Sequence, residues 1–203
     1  MVNEKIEERY KNETETKSLG CGNLKPFLNI KTGDIVLDLG CGNGGFTYSI
    51  VESVGDDGKI YALDLTREMI EKAIANNSHK NIRYTVGDIN NLPYQDNFFD
   101  LIISNCVINH STNKSLVFSE IYRVLKKSGH FLIADIVVEE ALPKEISSDP
   151  KYIAQCFGGA IPKKEYFTII NNVGFKKIKE CSSRKYIKFG FPMESLIIQG
   201  EKE

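Results

Sequence analysis

A glycine-rich loop at residues 40–45, with the sequence Gly-Cys-Gly-Asn-Gly-Gly, is the first feature of the chain that could support chemistry. It follows an apolar strand-like run, and its glycines let the backbone approach a ligand closely because no side chain intervenes. Asp64 lies about 20 residues further on, at the end of the next strand-like run, where a carboxylate can accept hydrogen bonds from ribose hydroxyls. The pattern predicts a nucleoside-containing cofactor, although Gly40, Gly42 and Gly45 also match the nicotinamide-dinucleotide fingerprint.

Three further features separate the two cofactor classes. Asp38 stands just before the first glycine, where its charge would repel a pyrophosphate but would suit an amino-acid ammonium. The triplet Gly87-Asp88-Ile89 ends the third strand-like run, where a carboxylate can accept from an adenine amino group beside an apolar contact. A short connection at residues 191–194 suits an antiparallel hairpin at the sheet edge. Together these features resemble the class I S-adenosylmethionine-dependent methyltransferases, over nearly the whole chain from Lys31 onward.

This resemblance implies S-adenosyl-L-methionine as the cofactor, with Met69 covering the adenine. The residues predicted to contact the cofactor are Asp38, Gly40, Cys41, Gly42, Asp64, Leu65, Met69, Asp88, Ile89 and Asn105. Cys41 is interpreted as a small residue that fills the glycine loop. The alternative is a loop that only turns a strand into a helix, with Asp64 and Asp88 as ordinary strand-end acids.

Alternating strand-like and helix-like patterns must position these residues, and they predict an α/β fold. The predicted strands span residues 35–39, 59–63, 82–86, 98–104, 130–138, 175–181 and 195–199. The resemblance makes this a Rossmann-like class I methyltransferase fold. Its seven-stranded sheet is mostly parallel with an antiparallel last strand, and about five helices cover both faces.

Helix boundaries are predicted from residues that favour starts and stops. One helical stretch follows the glycine loop as far as Val54, and Thr66 is predicted to cap the next helix. Gly129 is predicted to stop the helix that precedes the fifth strand. Pro162 is expected in the first turn of the last helix and Gly174 at its end.

The predicted domain organisation is a single methyltransferase domain over residues 1–203. It carries an N-terminal arm at residues 1–30 and an inserted substrate segment at residues 139–161. Neither segment fits the strand–helix alternation. Both are expected near the carboxyl ends of the strands, the edge at which open parallel sheets bind ligands.

Three short strings narrow the family further. They are Ser-Leu-Gly-Cys-Gly at residues 18–22, Ser-Asn-Cys-Val-Ile-Asn at 104–109 and Cys-Phe-Gly-Gly-Ala at 156–160. In combination they closely resemble arsenite methyltransferases. The resemblance implies that Cys21, Cys106 and Cys156 bind trivalent arsenic, which is soft and thiophilic and leaves a lone pair opposite three sulfurs.

The same resemblance implies further expectations. The substrate would be arsenite or its thiol conjugate, a thiol reductant would take part, and no resident metal is expected. The arm with Cys21 would fold over the site as a lid. His110 stands where the family usually has an aliphatic residue, and it could exchange a hydrogen bond with the substrate. Cys181 lies in a strand pattern and is interpreted as a core residue.

Composition bounds the remaining possibilities. Hydrophobic residues make up 41% and charged residues 26%, and the net charge of −1 gives no electrostatic reason to expect a nucleic-acid partner. The chain has no signal-peptide core and no apolar run of the ~18 residues that a membrane helix needs. We therefore expect a cytoplasmic protein without a membrane partner, whose odd number of cysteines consists of free thiols.

Two other functions remain open on the sequence. One is a methyltransferase of the same cofactor class that acts on another small molecule. The other is a non-catalytic three-cysteine sensor of a metalloid or metal, and three cysteines near a histidine could also hold zinc structurally. Asp38, Asp64 and Asp88 argue against a sensor that has lost its cofactor.

Overall fold

The computed structural model describes residues 2–11 and 20–203, and a seven-stranded sheet lies at its centre. The strands are β1 (Ile35–Leu39), β2 (Lys59–Asp64), β3 (Ile82–Val86), β4 (Phe99–Asn105), β5 (Leu125–Val138), β6 (Lys176–Lys188) and β7 (Phe191–Glu201). Their order across the sheet is β3-β2-β1-β4-β5-β7-β6. Strands β1 to β5 pair in parallel, and β7 runs antiparallel to both β5 and β6. The predicted fold class is confirmed.

The last hairpin extends further than the sequence predicts. Residues 191–194 were expected to connect the two strands, but they begin β7, and Phe191 pairs with Lys188. The turn lies instead at Phe189 and Gly190, whose φ angles of 51° and 82° are both left-handed. Such angles are typical of the tight hairpin turns whose twist matches that of antiparallel strands.

Eight α-helices occur in the described ranges, where about five were predicted. They are α1 (Val2–Lys11), α2 (Gly45–Ser49), α3 (Val51–Val54), α4 (Arg67–Asn77), α5 (Lys114–Val124), α6 (Lys144–Ser147), α7 (Pro150–Ala154) and α8 (Lys163–Val173). Short 3₁₀ turns lie at Lys25–Phe27, Ile108–His110 and Phe157–Gly159. The extra helices come mainly from the arm and the inserted segment, where the sequence pattern was irregular.

Four helix boundaries differ from the prediction. The stretch after the glycine loop is broken at Ile50, whose backbone leaves helical geometry between α2 and α3. Thr66 occupies the N-cap position of α4, but its side chain makes no capping hydrogen bond. Gly129 lies inside β5 and stops no helix, because α5 already ends at Val124. Gly174 ends α8 as predicted and adopts φ 116°, whereas Pro162 is the N-cap residue, one position before the first turn in which it was expected.

Two apolar layers cover the sheet, one on each face. Leu37 and Leu39 of β1 pack into the layer that α5 and α8 cover, whereas Val36 packs into the opposite layer. That second layer receives Val51 of α3 and Ile70 of α4. Buried parallel strands must present apolar side chains on both faces, which explains why the strands read as continuous apolar runs.

The inserted segment forms its own small cluster beside the carboxyl edge of the sheet. Leu142, Cys156 and Phe157 pack there against Val138 of β5 and Met193 of β7. Helix α1 packs against α7 of this segment. Within the described ranges, no helix is long and apolar enough to cross a membrane.

Candidate cofactor and thiol site

A cavity of about 760 Å³ opens at the carboxyl edge of the parallel strands. All ten residues predicted to contact a cofactor line it: Asp38, Gly40, Cys41, Gly42, Asp64, Leu65, Met69, Asp88, Ile89 and Asn105. Cys106 lines it as well. The structure therefore brings the ten residues to one cavity, and their contact with a cofactor stays a prediction.

The glycine loop is shaped by close backbone contacts. Gly40 has φ 70°, its N–H donates to the Leu63 carbonyl at 2.7 Å, and a Cβ at this position would collide with Val107. Gly42 also has a positive φ, and a Cβ there would meet no atom within 4 Å. The open side of Gly42 faces the cavity, so a ligand could approach its backbone directly.

Asp64 anchors the loop from the end of β2. Its Oδ2 accepts from the N–H of Gly42 and its Oδ1 from the N–H of Thr66, each at 2.9 Å. Burial raises the pKa of Asp64, and these two hydrogen bonds oppose that rise. A carboxylate oxygen has more than one lone pair, so each can still accept from a ligand hydroxyl.

Asp38 is buried beneath the loop at the end of β1. Its Oδ2 accepts from the hydroxyl of Thr47 at 2.6 Å. Burial raises the pKa of Asp38 to about 7, the Thr47 hydrogen bond lowers it, and the nearby Asp64 adds to the rise. Two carboxyl groups so close together in a partly dry site favour a cationic ligand group beside them.

The far end of the cavity is closed by Asp88 and by helix α1. Asn90 donates to Asp88 Oδ1 from its backbone N–H at 2.8 Å and from its Nδ2 at 2.7 Å. From α1, Asn3 Nδ2 donates to Asp88 Oδ2 at 3.4 Å. Ile6 and Tyr10 of the same helix also line the cavity. The described part of the N-terminal arm thus covers the predicted cofactor site.

The three cysteines singled out by the sequence lie together beside this cavity. Cys106 Sγ is 2.9 Å from Cys156 Sγ. Cys21 Sγ, Cys106 Sγ and a carboxylate oxygen of Asp135 all lie within 4.8 Å of one another. Cys156 Sγ is also 3.8 Å from Asp135 Oδ1. We call Cys21, Cys106, Cys156 and Asp135 the thiol cluster.

The three thiols of the cluster differ in acidity. Contacts with the sulfurs of Cys156 and Cys21 hold the pKa of the Cys106 thiol below its ordinary value. Contact with Cys106 and burial raise the pKa of both Cys21 and Cys156. Cys106 is therefore the most acidic of the three thiols, and its thiolate form favours capture of a soft electrophile.

Two of these cysteines have strained backbones. Cys106 has φ 66° and Cys156 has φ 68°, in the left-handed region that non-glycine residues rarely adopt. Each such residue costs about 1–3 kcal/mol and persists only where the surrounding structure enforces it. Both strained residues meet at the same sulfur–sulfur contact, so the fold holds these two thiols together at a cost in stability.

Gly158 and Gly159 allow the inserted segment to reach this contact. A Cβ on Gly159 would collide with the backbone carbonyl of Asn109, and one on Gly158 would collide with the backbone of Tyr152. Asn109 is fully buried and donates from Nδ2 to the Ile136 carbonyl at 2.7 Å. Steric constraints therefore explain the two glycines of the Cys-Phe-Gly-Gly string, because bulkier residues would push Cys156 away from Cys106.

The loop with Cys21 is held by side chains from two strands. Asn105 Nδ2 donates to the Gly22 carbonyl at 2.8 Å, and the Gly22 N–H donates back to Asn105 Oδ1 at 3.2 Å. Ser195 Oγ donates to the Cys21 carbonyl at 2.6 Å. Asn105 thus lines the cavity as predicted and also positions Cys21. Ser18 and Leu19, the first residues of the string, lie outside the described residues.

His110 joins α1 to the inserted segment. Its Nδ1 lies 3.0 Å from the Ile153 carbonyl, which can only accept, so this nitrogen carries the proton. In the neutral ring Nε2 then accepts from the Tyr10 hydroxyl at 3.2 Å. Burial lowers the pKa of His110, which favours that neutral form. Arg9 also donates to the Ala154 carbonyl, so α1 is held at two points.

Asp135, Tyr166 and Lys114 are site residues that sequence reasoning missed. Asp135 is 2% exposed, and it accepts from Tyr166 Oη at 3.2 Å and from the Ile136 N–H at 2.9 Å. Burial raises the pKa of Asp135 to about 7, and the nearby Lys114 lowers it. Lys114 is itself buried and donates to the Ser111 carbonyl at 3.1 Å. An aspartate within the apolar run of β5 was the available signal, because buried acids are rare without a partner.

The two remaining cysteines stand apart from the thiol cluster. Cys41 is 8% exposed and packs in the second apolar layer below the loop. Cys181 is only half-buried on β6, where its thiol lies 3.5 Å from Gln199 Oε1. All five cysteines are free thiols, as predicted.

A parallel sheet with an antiparallel β7, a glycine loop after β1 and acids at the ends of β1 and β2 define a Rossmann-like methyltransferase. Residues 30–174 match the family described as "Methyltransferase domain". The chain belongs to this family, whose methyl donor is S-adenosylmethionine.

The most informative relatives are arsenite methyltransferases. That of Halobacterium salinarum is 36% identical over 164 residues, which cover 79% of this chain and 42% of the relative. That of Aquipseudomonas alcaligenes is 32% identical over 173 residues, 80% of this chain and 49% of the relative. The chain therefore spans less than half the length of these relatives.

A crystal structure gives the same indication. The arsenic(III) S-adenosylmethionine methyltransferase from Chlamydomonas reinhardtii superposes with a TM-score of 0.80 at 28% identity. The superposition covers 98% of this chain and 73% of that protein. The chain is thus similar to arsenic methyltransferases in both sequence and fold.

Proposed function

We propose that this protein transfers a methyl group from S-adenosylmethionine to trivalent arsenic held by Cys21, Cys106 and Cys156. One observation carries the proposal. Cys106 lines the cavity that also contains the glycine loop, and its sulfur contacts Cys156 at 2.9 Å. A substrate bound by the thiols would therefore lie directly beside the methyl donor. The likeness to arsenite methyltransferases supports the same substrate.

The chain's own residues fit the methyl donor. Gly42 leaves room for its amino-acid portion, and Asp38 supplies a negative charge for the ammonium. Asp64 would accept from the ribose hydroxyls, while Asp88 and Met69 would bind the adenine. When bound, S-adenosylmethionine supplies a sulfonium methyl group that is ready for in-line displacement by a nucleophile. Residues Ile6 and Tyr10 of α1 line the same cavity and would shield a bound donor from solvent.

The thiol cluster fits trivalent arsenic. Arsenite would exchange its three hydroxyl groups for three thiolates, As(OH)₃ + 3 RSH → As(SR)₃ + 3 H₂O, with no change in oxidation state. The sulfur of Cys106, which lies against the cavity, would bind arsenic first, and each of the three thiols would give its proton to one leaving hydroxyl group as water forms. Three sulfurs form a pyramid around arsenic and leave its lone pair as the nucleophile. Arsenic has no proton to lose, so no general base is needed and catalysis rests on orientation.

Two further expectations belong to this proposal. A thiol reductant, or a thiol conjugate of arsenite, would deliver the substrate in the trivalent state. A reducing compartment such as the cytoplasm would keep all five cysteines as free thiols. Helix α1 and the Cys21 loop would act as the lid that completes the site after arsenic has entered.

A single incubation tests the proposal. The purified chain is mixed with arsenite, S-adenosylmethionine and a small thiol, and the arsenic species are separated and identified by mass. We expect methylated arsenic that accumulates with time and requires all three components. Retained S-adenosylmethionine binding without methylated arsenic would reject arsenic as the substrate and leave a methyltransferase of another small molecule.

A further inference from the structure

Asp135 is the one member of the thiol cluster for which the proposed methyl transfer has no use. Trivalent arsenic is satisfied by three sulfurs, yet a carboxylate oxygen of Asp135 lies within 4.8 Å of both Cys21 Sγ and Cys106 Sγ. Its Oδ1 also lies 3.8 Å from Cys156 Sγ. Cys21, Cys106 and Asp135 thus form one mutually close, half-buried set, and Cys156 adjoins it through Cys106 and Asp135.

We propose that the thiol cluster also binds a soft divalent d¹⁰ cation, Zn²⁺ or Cd²⁺, with Cys21, Cys106, Cys156 and Asp135 as its four ligands. Such cations prefer tetrahedral sites built from thiolates, with a carboxylate as an accepted fourth ligand. This site goes beyond the proposed methyl transfer, because it needs the fourth ligand that arsenic does not use.

Hydrogen bonds hold the Asp135 carboxylate in a fixed orientation, as they do for carboxylates that bind metal ions. Tyr166 Oη donates to its Oδ2 at 3.2 Å and the Ile136 N–H donates to its Oδ1 at 2.9 Å, so the carboxylate is oriented from both sides. Ligating carboxylates are typically oriented by such outer hydrogen bonds. Lys114, buried and close enough to interact with Asp135 and Cys156, offsets the negative charge that four anionic ligands would bring.

The geometry requires a small adjustment. Tetrahedral bonds of about 2.3 Å to sulfur place two ligand sulfurs about 3.8 Å apart. Cys106 Sγ and Cys156 Sγ are 2.9 Å apart, so a cation would open that pair by roughly 1 Å. The two cysteines lie just after β4 and in the inserted segment, so this movement would involve residues outside the regular strands.

A bound cation would compete with trivalent arsenic. A cation in this site and trivalent arsenic would need the same three sulfurs, so each would exclude the other. Zn²⁺ and Cd²⁺ would then inhibit methyl transfer competitively with arsenite and leave S-adenosylmethionine binding unchanged. Asp135 would decide the selectivity, since only the four-coordinate cation uses it.

Cadmium provides the direct test. The full chain is reduced, freed of metal with a chelator and titrated with Cd²⁺ while the thiolate-to-cadmium absorption in the ultraviolet is recorded. X-ray absorption of the frozen wild-type complex then counts its neighbours, and we expect three sulfurs and one or more oxygens from Asp135. A shell of four sulfurs, of two or fewer, or of three sulfurs without oxygen would overturn the proposal.

Variants assign the ligands. Asp135→Asn should weaken Cd²⁺ binding at least ~10-fold and change arsenite binding less than about threefold, because only the cation loses a ligand. Cys106→Ser should weaken both, and Cys181→Ser is the matched control whose thiol lies outside the cluster and whose binding should not change. Thermal unfolding of each variant checks that it is folded. Equal Cd²⁺ affinity in Asp135→Asn and wild type, or simultaneous binding of arsenite and Cd²⁺, would contradict the site.

The inference rests on the thiol cluster of the proposed function, but the two can fail separately. Cadmium bound by three sulfurs and one oxygen, without any methylation of arsenite, would keep the cation site and reject the arsenic reaction. Methylated arsenic together with unimpaired Cd²⁺ binding in Asp135→Asn would do the reverse.

Discussion

Cys106 belongs to two sites at once. It lines the predicted cofactor cavity, and its sulfur lies 2.9 Å from that of Cys156 and close to that of Cys21. A residue that joins the two sites should affect turnover without affecting the affinity for the methyl donor. The sequence resemblance assigned it to the substrate, and the structure adds that contacts with two neighbouring thiols lower its pKa.

Cys106→Ser should therefore separate binding from chemistry. Methyl transfer to arsenite should fall by about 100-fold or more, because a serine oxygen is a poor ligand for a soft element. The affinity for S-adenosylmethionine, measured by calorimetry, should change less than about twofold, because the carboxylates and the loop remain. Cys181→Ser serves as the control and should retain turnover. A loss of cofactor affinity as large as the loss of turnover would contradict the assignment.

Asp64→Asn should have the opposite signature. The change removes the charge that holds Gly42 N–H and Thr66 N–H and that would accept from the ribose. Hydrogen bonds to a charged group contribute about 1.5–3 kcal/mol, so the dissociation constant for S-adenosylmethionine should rise roughly 10- to 100-fold. Arsenite binding to the thiols, monitored by the absorption of the arsenic-bound thiolates, should be unaffected. Unchanged cofactor affinity would remove Asp64 from the site.

At the scale of elements, two segments outside the regular sheet bring the thiols together. Helix α1 contacts α7 through Arg9 and packs Tyr10 edge-on against His110 at a ring separation of 5.8 Å. The inserted segment supplies Cys156, and the Cys21 loop is held by Asn105 and Ser195. The strands set the positions of Cys106 and Asp135, while these attachments set those of Cys21 and Cys156.

If arsenic links Cys21 to the strands, it should also protect the arm. Arsenite should slow proteolytic cleavage within residues 1–25, because opening of the arm would then require a thiolate–arsenic bond to break. Cleavage sites and rates are read by mass spectrometry of a limited digest. Cys21→Ser should abolish the protection while leaving cleavage without arsenite unchanged. Equal cleavage with and without arsenite in the wild-type chain would reject the lid.

Gly159 should tolerate no larger residue. In Gly159→Ala the added Cβ meets the Asn109 carbonyl, so the inserted segment must shift, and we expect a loss of about 3 kcal/mol in the free energy of unfolding. Gly190→Ala is the matched control, because a Cβ there meets nothing within 4 Å and only its left-handed φ costs about 1 kcal/mol. Denaturant unfolding compares the two. Equal losses would show that the close approach at Gly159 carries no energetic weight.

At the scale of the whole molecule, the buried acids make stability depend on pH. Burial raises the pKa of Asp38 from 3.8 to about 7, so the folded chain holds a proton that the unfolded chain releases. The stability from this group is fully present below about pH 4 and is lost as the pH rises through about 7. A shift of this size corresponds to roughly 4 kcal/mol as an order of magnitude.

Asp38→Asn removes that dependence. Measured without cofactor, the unfolding free energy of the variant should rise relative to that of wild type as the pH increases from 4 to 8. Groups that do not interact with Asp38 titrate alike in both proteins and cancel in the difference, which leaves Asp38 and its interaction with Asp64. S-adenosylmethionine affinity of the wild type should in turn fall as the pH drops below about 7, because the neutral acid no longer attracts the ammonium. A difference that is flat with pH would contradict the raised pKa.

Most of the fold could be predicted from periodicity alone. Strands buried on both faces need continuous apolar runs, so β1 and β5 were recognisable, and β3 matched its predicted bounds at residues 82–86. The errors fell where local signals compete. Gly129 looks like a helix stop but lies in a long strand, and residues 191–194 look like a turn but pair along β7. Strand ends depend on pairing partners, which a single sequence does not contain.

The sequence by itself indicated the cofactor class, because glycines and acids at fixed offsets from strands carry their chemistry in local order, and three short strings that resemble arsenite methyltransferases indicated the candidate thiols. Only the tertiary structure decided that Cys21, Cys106 and Cys156 converge, that Cys41 and Cys181 do not join them, and that Asp135 is the fourth member of the cluster. Those decisions depend on contacts between residues separated by up to 174 positions, such as Ser195 to Cys21. Their distances are set by packing of the whole molecule, and local order does not encode them.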